Sequence, residues 1–245
     1  YEASEGIAVV DIESPEIYPE TRDYRRTLAM IDISDSESYL VDIFRVDGGD
    51  DHIISFHAGE GDTTTEGLDL LPQASGTYAG TDIPFGEHFD GPPDGRYLSS
   101  GFSYLYDVSR AKSPTPGWTM DWDLKDTWET RLGDEPVHVK LHALSTSGET
   151  AIAHGDPPQN KPGNPRRLRY VVQRNQGTDI KSTFVSLVEP YSGTSPNLKE
   201  VTRIDLALSP GDHSAAAVRV TTAGGRTDLI LSSDDPNRMF DLGDG

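Results

Sequence analysis

Two histidines, His52 and His57, follow an acidic glycine turn, Gly48-Gly49, in the stretch IFRVDGGDDHIISFH. Histidine exchanges a proton near neutral pH and binds metal ions through a ring nitrogen. The two residues are five positions apart, so an ideal strand would turn them to opposite faces, and only a bulge would bring both to one ion. A third histidine, His88, lies in a glycine-rich stretch and can equally be a solvated loop residue.

Basic residues are concentrated in two places in an otherwise acidic chain. The first cluster comprises Arg166, Arg167, Arg169 and Arg174, and the second comprises Arg22, Arg25 and Arg26. Guanidinium groups match carboxylates and sulfates bidentately, so Arg166, Arg167, Arg169 and Arg25 are candidates for binding an acidic ligand. The alternative is that these arginines only neutralise nearby aspartates. Arg25 or Arg26 could pair with Asp42, whose strand position places it among apolar neighbours.

Trp128 has the most exposed setting of the aromatic residues, in the polar stretch KDTWE. Aromatic rings can stack on the C–H face of a sugar while their polar edges bond hydroxyl groups, so Trp128 is a candidate ligand residue. The WTMDW stripe at 118–122 places three large side chains on one strand face, and Tyr104 and Tyr106 also share a face. Both stripes are more typical of a sandwich core.

Strand signals recur along the chain, and no convincing helix separates them. The predicted strands are Gly6–Ile12, Tyr24–Ile33, Tyr39–Val46, His52–His57, Phe102–Ser109, Trp118–Leu124, Val137–Leu144, Arg169–Gln173, Thr183–Val188, Val201–Leu208, Ala215–Thr221 and Thr227–Leu231. This pattern predicts an all-β fold, a large antiparallel two-sheet sandwich. The glycine pairs Gly48-Gly49 and Gly224-Gly225 are expected to form hairpin turns.

The irregular segments do not resemble linkers, so residues 1–245 are expected to form one domain. Ala58–Ser100 is glycine-rich and predicts surface loops with one short strand among them. The sequence begins with Tyr1 rather than methionine, which suggests a piece excised from a longer, multidomain protein.

Composition excludes several function classes. The chain has 41 acidic and 21 basic residues and a formal charge of −20, which disfavours nucleic acid and anionic membranes as partners. No apolar stretch approaches the roughly 18 residues of a membrane span. With no cysteine, thiolate metal sites are impossible. Nucleotide-binding and nucleophile-elbow motifs are absent from the sequence.

Several stretches together resemble the β-sheet domain of heparinase II/III-type polysaccharide lyases. The segment 24–57 resembles that family's Tyr-Arg-Arg strand, Val-Asp-Ile-Phe-Arg-Val strand, Gly-Gly turn and closing Phe-His strand. WTMDW resembles its tryptophan-bearing strand, and 182–191 resembles a strand ending in Glu-Pro-Tyr after the basic strand 171–174. Each motif is weak alone, but they occur in the expected order between Tyr18 and Asp212.

The resemblance implies a secreted or periplasmic enzyme that cuts uronic-acid-containing polysaccharide by β-elimination. A base removes the proton at C5, the uronate must be neutralised, and an acid protonates the leaving oxygen. In that family an α/α toroid supplies much of this machinery, and this chain has no toroid segment. The isolated chain is therefore expected to contact an acidic polysaccharide without cleaving it.

The resemblance also implies roles for the histidines. His57, with His52 second, would be the catalytic or cleft histidine. His57 would also be a ligand of a structural zinc, for which Asp69 and His88 are the further candidates, since a zinc site without cysteine needs histidine and carboxylate ligands. The alternatives to a lyase domain are an independent, non-catalytic carbohydrate-binding module and a purely structural domain.

Overall fold

The computed structural model describes residues 2–14, 16–87, 101–131, 133–209 and 211–243, and their regular structure is almost entirely β-strand. The strands are β1 Glu2–Ser4, β2 Ile7–Glu13, β3 Asp23–Asp32, β4 Ser38–Asp47, β5 Asp51–His57, β6 Gly61–Glu66, β7 Leu71–Pro72, β8 Leu105–Lys112, β9 Trp118–Leu124, β10 Val137–Ala143, β11 Glu149–Gly155, β12 Leu168–Gln176, β13 Lys181–Ser192, β14 Leu198–Ile204, β15 Ala215–Thr222 and β16 Thr227–Ser233. One 3-10 turn covers Phe102–Tyr104. Within the described ranges, no helix has the length and apolarity to cross a membrane.

The strands form three antiparallel sheets. The middle sheet has eight strands in the order β1-β2-β3-β4-β13-β10-β9-β6. The second sheet has five strands in the order β5-β12-β11-β8-β7, and the third has the order β14-β15-β16. The all-β antiparallel sandwich predicted from the sequence is confirmed, with a third sheet added to the expected two.

The middle sheet packs against the other two sheets on its opposite faces. In β4, Val41 and Ile43 pack with Val218 of the third sheet. Phe44 points the other way and packs with Ile54 of the second sheet. Because successive side chains of a strand alternate between faces, burying both faces requires the nearly continuous apolar run found in β4.

Aromatic and aliphatic side chains fill the space between the middle and second sheets. Trp118, Met120 and Trp122 of β9 are almost fully buried and pack against Ile152 and Val171 of the second sheet. The prediction that this stripe belongs to the core is confirmed. Burial of such large rings is worth about 1.5–3 kcal/mol each or more, which makes this interface a main source of stability.

Three charged side chains of the described residues are buried in the middle sheet, each with defined partners: Asp42, Arg45 and Glu189, the last of which accepts a hydrogen bond from the backbone N–H of Leu198 at 2.8 Å. Asp42 is 2% exposed and accepts hydrogen bonds from Arg26, with 2.6 Å between the closest atoms, as the sequence suggested. Arg45 donates to the carbonyl oxygens of His213 and Ser232 at 3.0 Å. Arg45 thereby ties β4 to the third sheet.

The Gly48-Gly49 turn is not a hairpin, contrary to the prediction. It carries the chain from β4 in the middle sheet to β5 in the second sheet. Both glycines have positive φ angles of 97° and 89°, a conformation that glycine adopts without strain. The other pair, Gly224-Gly225, does connect the neighbouring antiparallel strands β15 and β16.

Candidate functional site

A cleft of about 820 Å³ opens where one end of the middle sheet meets one end of the second sheet. The start of β6 and the end of β9 form one wall, and the end of β11 and the start of β12 form the other. The lining residues are Glu60, Gly61, Asp62, Thr63, Asp123, Leu124, Lys125, His154, Arg167, Leu168 and Arg169. Four of these side chains carry basic nitrogen, although the chain as a whole is strongly acidic.

Strand pairing brings the basic residues of the second sheet together. His154 of β11 pairs directly with Arg169 of β12 and with Tyr106 of β8, so all three side chains project from the same face. The pairing of β8 with β11 shifts register between Ile152 and His154. At this bulge Asp107 has a φ angle of 49°, a strained conformation for a residue other than glycine.

His154 lies between an anion and a cation. Its Nδ1 is 3.3 Å from Oδ2 of Asp107, and Nη1 of Arg169 lies 3.1 and 3.2 Å from its two ring nitrogens. The guanidinium can only donate. The arrangement therefore fits a neutral ring whose Nδ1–H donates to Asp107 while Nε2 accepts from Arg169. Burial, and then the charge of Arg169, lower the pKa of His154 below 6.5.

Arg169 is a half-buried cation, and no carboxylate of the described residues lies within ion-pair distance of it. Burial lowers its pKa, and the charge of Asp107 opposes that change. Arg167 is about half exposed, and its nearest carboxylate oxygen, on Asp156, is 3.7 Å away. Both guanidinium groups face the cleft with donors that are only partly used.

On the opposite wall of the cleft, the positive charge of Lys125 is paired with Glu60. Nζ of Lys125 lies 3.3 Å from Oε1 of Glu60. The backbone N–H of Arg166 also donates to Glu60, at 3.0 Å. This backbone bond, followed by the Lys125 interaction, lowers the pKa of Glu60 despite the opposing effect of burial. Glu60 thus joins the two walls of the cleft and stays ionised.

The structure brings together part of the arginine set predicted from the sequence. Arg167 and Arg169 line the cleft, whereas Arg166 contributes its backbone and has an exposed side chain. Arg25 lies elsewhere, on β3, where it forms ion pairs with Asp11 at 2.5 Å and Asp234 at 2.8 Å. Trp128 is 61% exposed, in the loop that follows the Lys125 end of β9.

The two histidines of β5 lie apart from the cleft and from each other. The ladder between β5 and β12 is continuous, so His52 and His57 face opposite sides. His52 is buried: its Nε2–H donates to the carbonyl oxygen of Gly48 at 2.8 Å, and its Nδ1 lies 2.9 Å from the hydroxyl of Ser182. His57 is exposed and its ring contacts that of Tyr170 at 4.8 Å. Their catalytic roles stay predictions.

The zinc hypothesis also stays a prediction. Among the described residues, no group of three or more histidine, aspartate and glutamate side chains is arranged to hold a metal. Asp69 is exposed, and His88 lies outside the described residues. His57 and Asp69 therefore do not form a metal site with the other residues that the structure describes.

Sequence reasoning missed His154, Asp107 and Lys125. His154 belongs to β11, which is not among the predicted strands because alanine and glycine weaken its pattern. Tyr106 was expected in the core. It instead borders the cleft, and its hydroxyl donates to Asp156 at 2.6 Å.

The similarity of this chain to known proteins is in structure alone. No family model and no curated protein matches this chain. A mutant of heparan sulfate lyase HepC from Pedobacter heparinus has 14% identity and a TM-score of 0.42, covering 97% of this chain and 28% of that one. A crystal structure of heparinase III has 13% identity and a TM-score of 0.45, covering 94% and 26%. A heparinase III gene product has 9% identity and a TM-score of 0.47, covering 93% and 26%.

The chain spans about a quarter of the length of each of these three proteins. With every TM-score below 0.5, the likenesses assign no role to any residue of the cleft.

Proposed function

We propose that this chain is the β-sandwich domain of a heparinase II/III-like polysaccharide lyase and that its cleft binds the acidic groups of a uronic-acid-containing polysaccharide. The observation that carries the proposal is Arg169, a half-buried guanidinium that faces the cleft without a carboxylate partner among the described residues. Arginine in such a setting retains donors for a planar carboxylate or a sulfate.

The distribution of charge supports an anionic ligand at this place. A net charge of −20 repels a polyanion from most of the surface, and salt screens that repulsion only beyond about 8 Å. In the cleft, the cations Lys125, Arg167 and Arg169 balance the carboxylates of Glu60, Asp62 and Asp123, so the local charge is close to zero. The cleft therefore repels an acidic chain less than the rest of the surface does.

Three of the segments that resemble the lyase family lie side by side in the middle sheet. The Tyr-Arg-Arg segment is in β3, the Val-Asp-Ile-Phe-Arg-Val segment in β4 and the Glu-Pro-Tyr segment in β13, and these three strands are neighbours. The segments that are similar in sequence to the family therefore form one continuous part of the middle sheet. This supports a common origin with the sheet domain of such lyases.

The chemistry of β-elimination explains what the cleft would contribute. Removal of the C5 proton of a uronate places negative charge on its carboxylate, which Arg167 and Arg169 would stabilise. The base and the acid would come largely from a toroid domain in a longer, secreted or periplasmic protein. The isolated chain would bind the glycan without cutting it.

Trp128 favours a second candidate function, a carbohydrate-binding module without lyase chemistry. Its ring is 61% exposed, and exposed tryptophan is a common sugar contact because its face is apolar and its edge is polar. A toroid segment in the full-length protein would favour the lyase domain. Glycan affinity without such a segment would favour the module.

Isothermal titration calorimetry with uronate-containing oligosaccharides tests the cleft. We expect Arg169→Gln to weaken binding about tenfold or more, since a hydrogen bond between charged groups contributes about 1.5–3 kcal/mol. Arg25→Gln is the matched control and should leave the affinity unchanged. Ultraviolet absorbance should detect no unsaturated uronate from the isolated chain. Absence of uronate binding by the wild type would refute the proposal, as would equal losses in both variants.

A further inference from the structure

Three aromatic rings, those of Phe85, Tyr104 and Tyr106, contact one another edge to face in a surface cluster that we call the aromatic platform. The ring centre of Phe85 lies 5.5 Å from that of Tyr104 and 5.7 Å from that of Tyr106, with interplanar angles of 82° and 80°. Phe85 is 55% exposed and Tyr104 39% exposed. Most large aromatic rings in proteins are far more buried than these. Three such rings in contact at the protein surface indicate a ligand-binding site.

The aromatic platform is continuous with the cleft. The guanidinium of Arg167 lies over the ring of Tyr106, 5.4 Å from its centre. The ring of His154, which also lines the cleft, lies 5.9 Å from the same ring. Tyr106 is therefore the shared border, and a chain-like ligand that leaves the cleft on this side passes Arg167 and Tyr106 before it reaches Phe85.

Backbone hydrogen bonds hold the platform in place. The N–H of Gly86 donates to the carbonyl oxygen of Ser103 at 3.0 Å, which joins the Phe85 segment to the Tyr104 turn. The N–H of Tyr78 donates to the carbonyl oxygen of Leu105 at 2.8 Å. A surface fixed before binding loses little conformational freedom when the ligand arrives.

The charges around the platform indicate which sugar unit it would suit. Asp107 and Asp156 flank Tyr106, and Asp156 accepts the hydrogen bond from its hydroxyl. Together with Arg167, which lies over Tyr106, the two carboxylates give this place a net charge of −1, which disfavours a second acidic sugar. They would accept hydrogen bonds from the hydroxyl groups of an uncharged one.

We propose that the aromatic platform is a second subsite, on which an uncharged pyranose stacks its C–H face while the neighbouring acidic unit lies in the cleft. This proposal rests on the proposed function and extends it, because it predicts that affinity grows with oligosaccharide length. The ligand class is an acidic polysaccharide in which charged and uncharged units alternate.

Calorimetry with a single methyl uronoside and with a hexasaccharide of alternating uronic acid and uncharged N-acetylhexosamine tests the subsite. Phe85→Ala and Tyr104→Ala should each weaken hexasaccharide binding about fivefold, the size expected of one aromatic contact. Binding of the single uronoside, which reaches the cleft alone, should stay within error of the wild type. Met239→Ala, which removes a 92% exposed apolar side chain from another part of the surface, is the control for general loss of apolar area.

The possible results separate this proposal from the one on which it rests. If the wild type binds neither the single uronoside nor the hexasaccharide, both proposals fail. If it binds both through Arg169 but the Phe85 and Tyr104 variants bind the hexasaccharide as tightly as wild type, the platform is not a subsite and the cleft proposal stands. Circular dichroism of each variant would show that a loss of binding is not a loss of fold.

Discussion

Nη1 of Arg169 lies 3.1 Å from Nδ1 of His154 and 3.2 Å from its Nε2, so a guanidinium and an imidazole share one wall of the cleft. A protonated imidazole at this distance would face a second positive charge. The neutral ring instead accepts from Arg169 and donates to Asp107. The pair therefore places a single positive charge, that of Arg169, at the cleft. The contact with His154 orients the Arg169 guanidinium.

The lowered pKa of His154 predicts how stability changes with pH. Burial and the charge of Arg169 hold this pKa below 6.5, so the unfolded chain takes up the proton at a higher pH than the folded one. The His154 contribution is complete above about pH 6.5 and is lost as the pH falls below it. Urea denaturation at several pH values should show a smaller decline in the free energy of unfolding for His154→Gln than for wild type.

Comparing wild type with His154→Gln separates the effect of His154 from that of other groups that titrate in the same pH range. His213 also has a pKa lowered by burial and by Lys181, and it is present in both proteins. Glutamine keeps a donor and an acceptor for Asp107 and Arg169. Identical pH dependence in wild type and His154→Gln would show that the imidazole does not carry this effect.

The buried ion pair between Asp42 and Arg26 predicts an asymmetric response to substitution. Asp42 is 2% exposed, whereas the Arg26 side chain is 45% exposed. Arg26→Met leaves a buried carboxylate without its cation and should cost about 3–5 kcal/mol of unfolding free energy. Asp42→Leu should cost less, because the guanidinium can turn into solvent.

A double-mutant cycle by urea denaturation tests that asymmetry. The Arg26→Met, Asp42→Leu double variant should be more stable than Arg26→Met alone, since the unpaired charge is removed. Additive losses from the two single substitutions would mean that the pair contributes no coupling energy. Arg238→Met, which breaks an exposed ion pair with Asp212, should change the stability by less than about 1 kcal/mol.

The strands were predictable from the sequence because their local pattern reflects burial. All twelve predicted strands are present, with ends that shift by a few residues, and the described part of the chain adds four that were not predicted: β1, β6, β7 and β11. Two of them, β6 and β7, lie in the segment 58–100, for which loops with one short strand were predicted. β11 was missed because Ala151 and Ala153 fill its buried positions, and alanine lacks the β-branched signature of strands. The Gly48-Gly49 turn was wrongly predicted to be a hairpin. A turn that connects two sheets contains the same residue types as a turn between neighbouring strands of one sheet.

The cleft was only partly predictable because its residues meet through strand order. His154 and Arg169 are fifteen residues apart, and Lys125 comes from another sheet. The arginine cluster at 166–169 could be predicted from its composition alone. The residues that line the cleft with it depend on which strands pair, and the alternation of side chains along a single strand does not predict strand pairing.

The turn between β4 and β5 gives a prediction about close backbone approach. Gly48 and Gly225 both have strongly positive φ angles, of 97° and 89°. A Cβ atom on Gly48 would lie 2.2 Å from the carbonyl oxygen of Glu20, whereas a Cβ on Gly225 would meet no heavy atom within 4 Å. Replacement by alanine should therefore cost about 1 kcal/mol at Gly225, from backbone strain alone.

Gly48→Ala should lose at least about 1–3 kcal/mol more than Gly225→Ala, because overpacking adds to the strain. The carbonyl oxygen of Gly48 also accepts the hydrogen bond from the buried ring of His52, so a shifted backbone would leave that donor unsatisfied. Urea denaturation of both variants measures the difference directly. Equal losses would mean that the chain relaxes away from Glu20 at little cost, and the position of His52 would then not depend on this glycine.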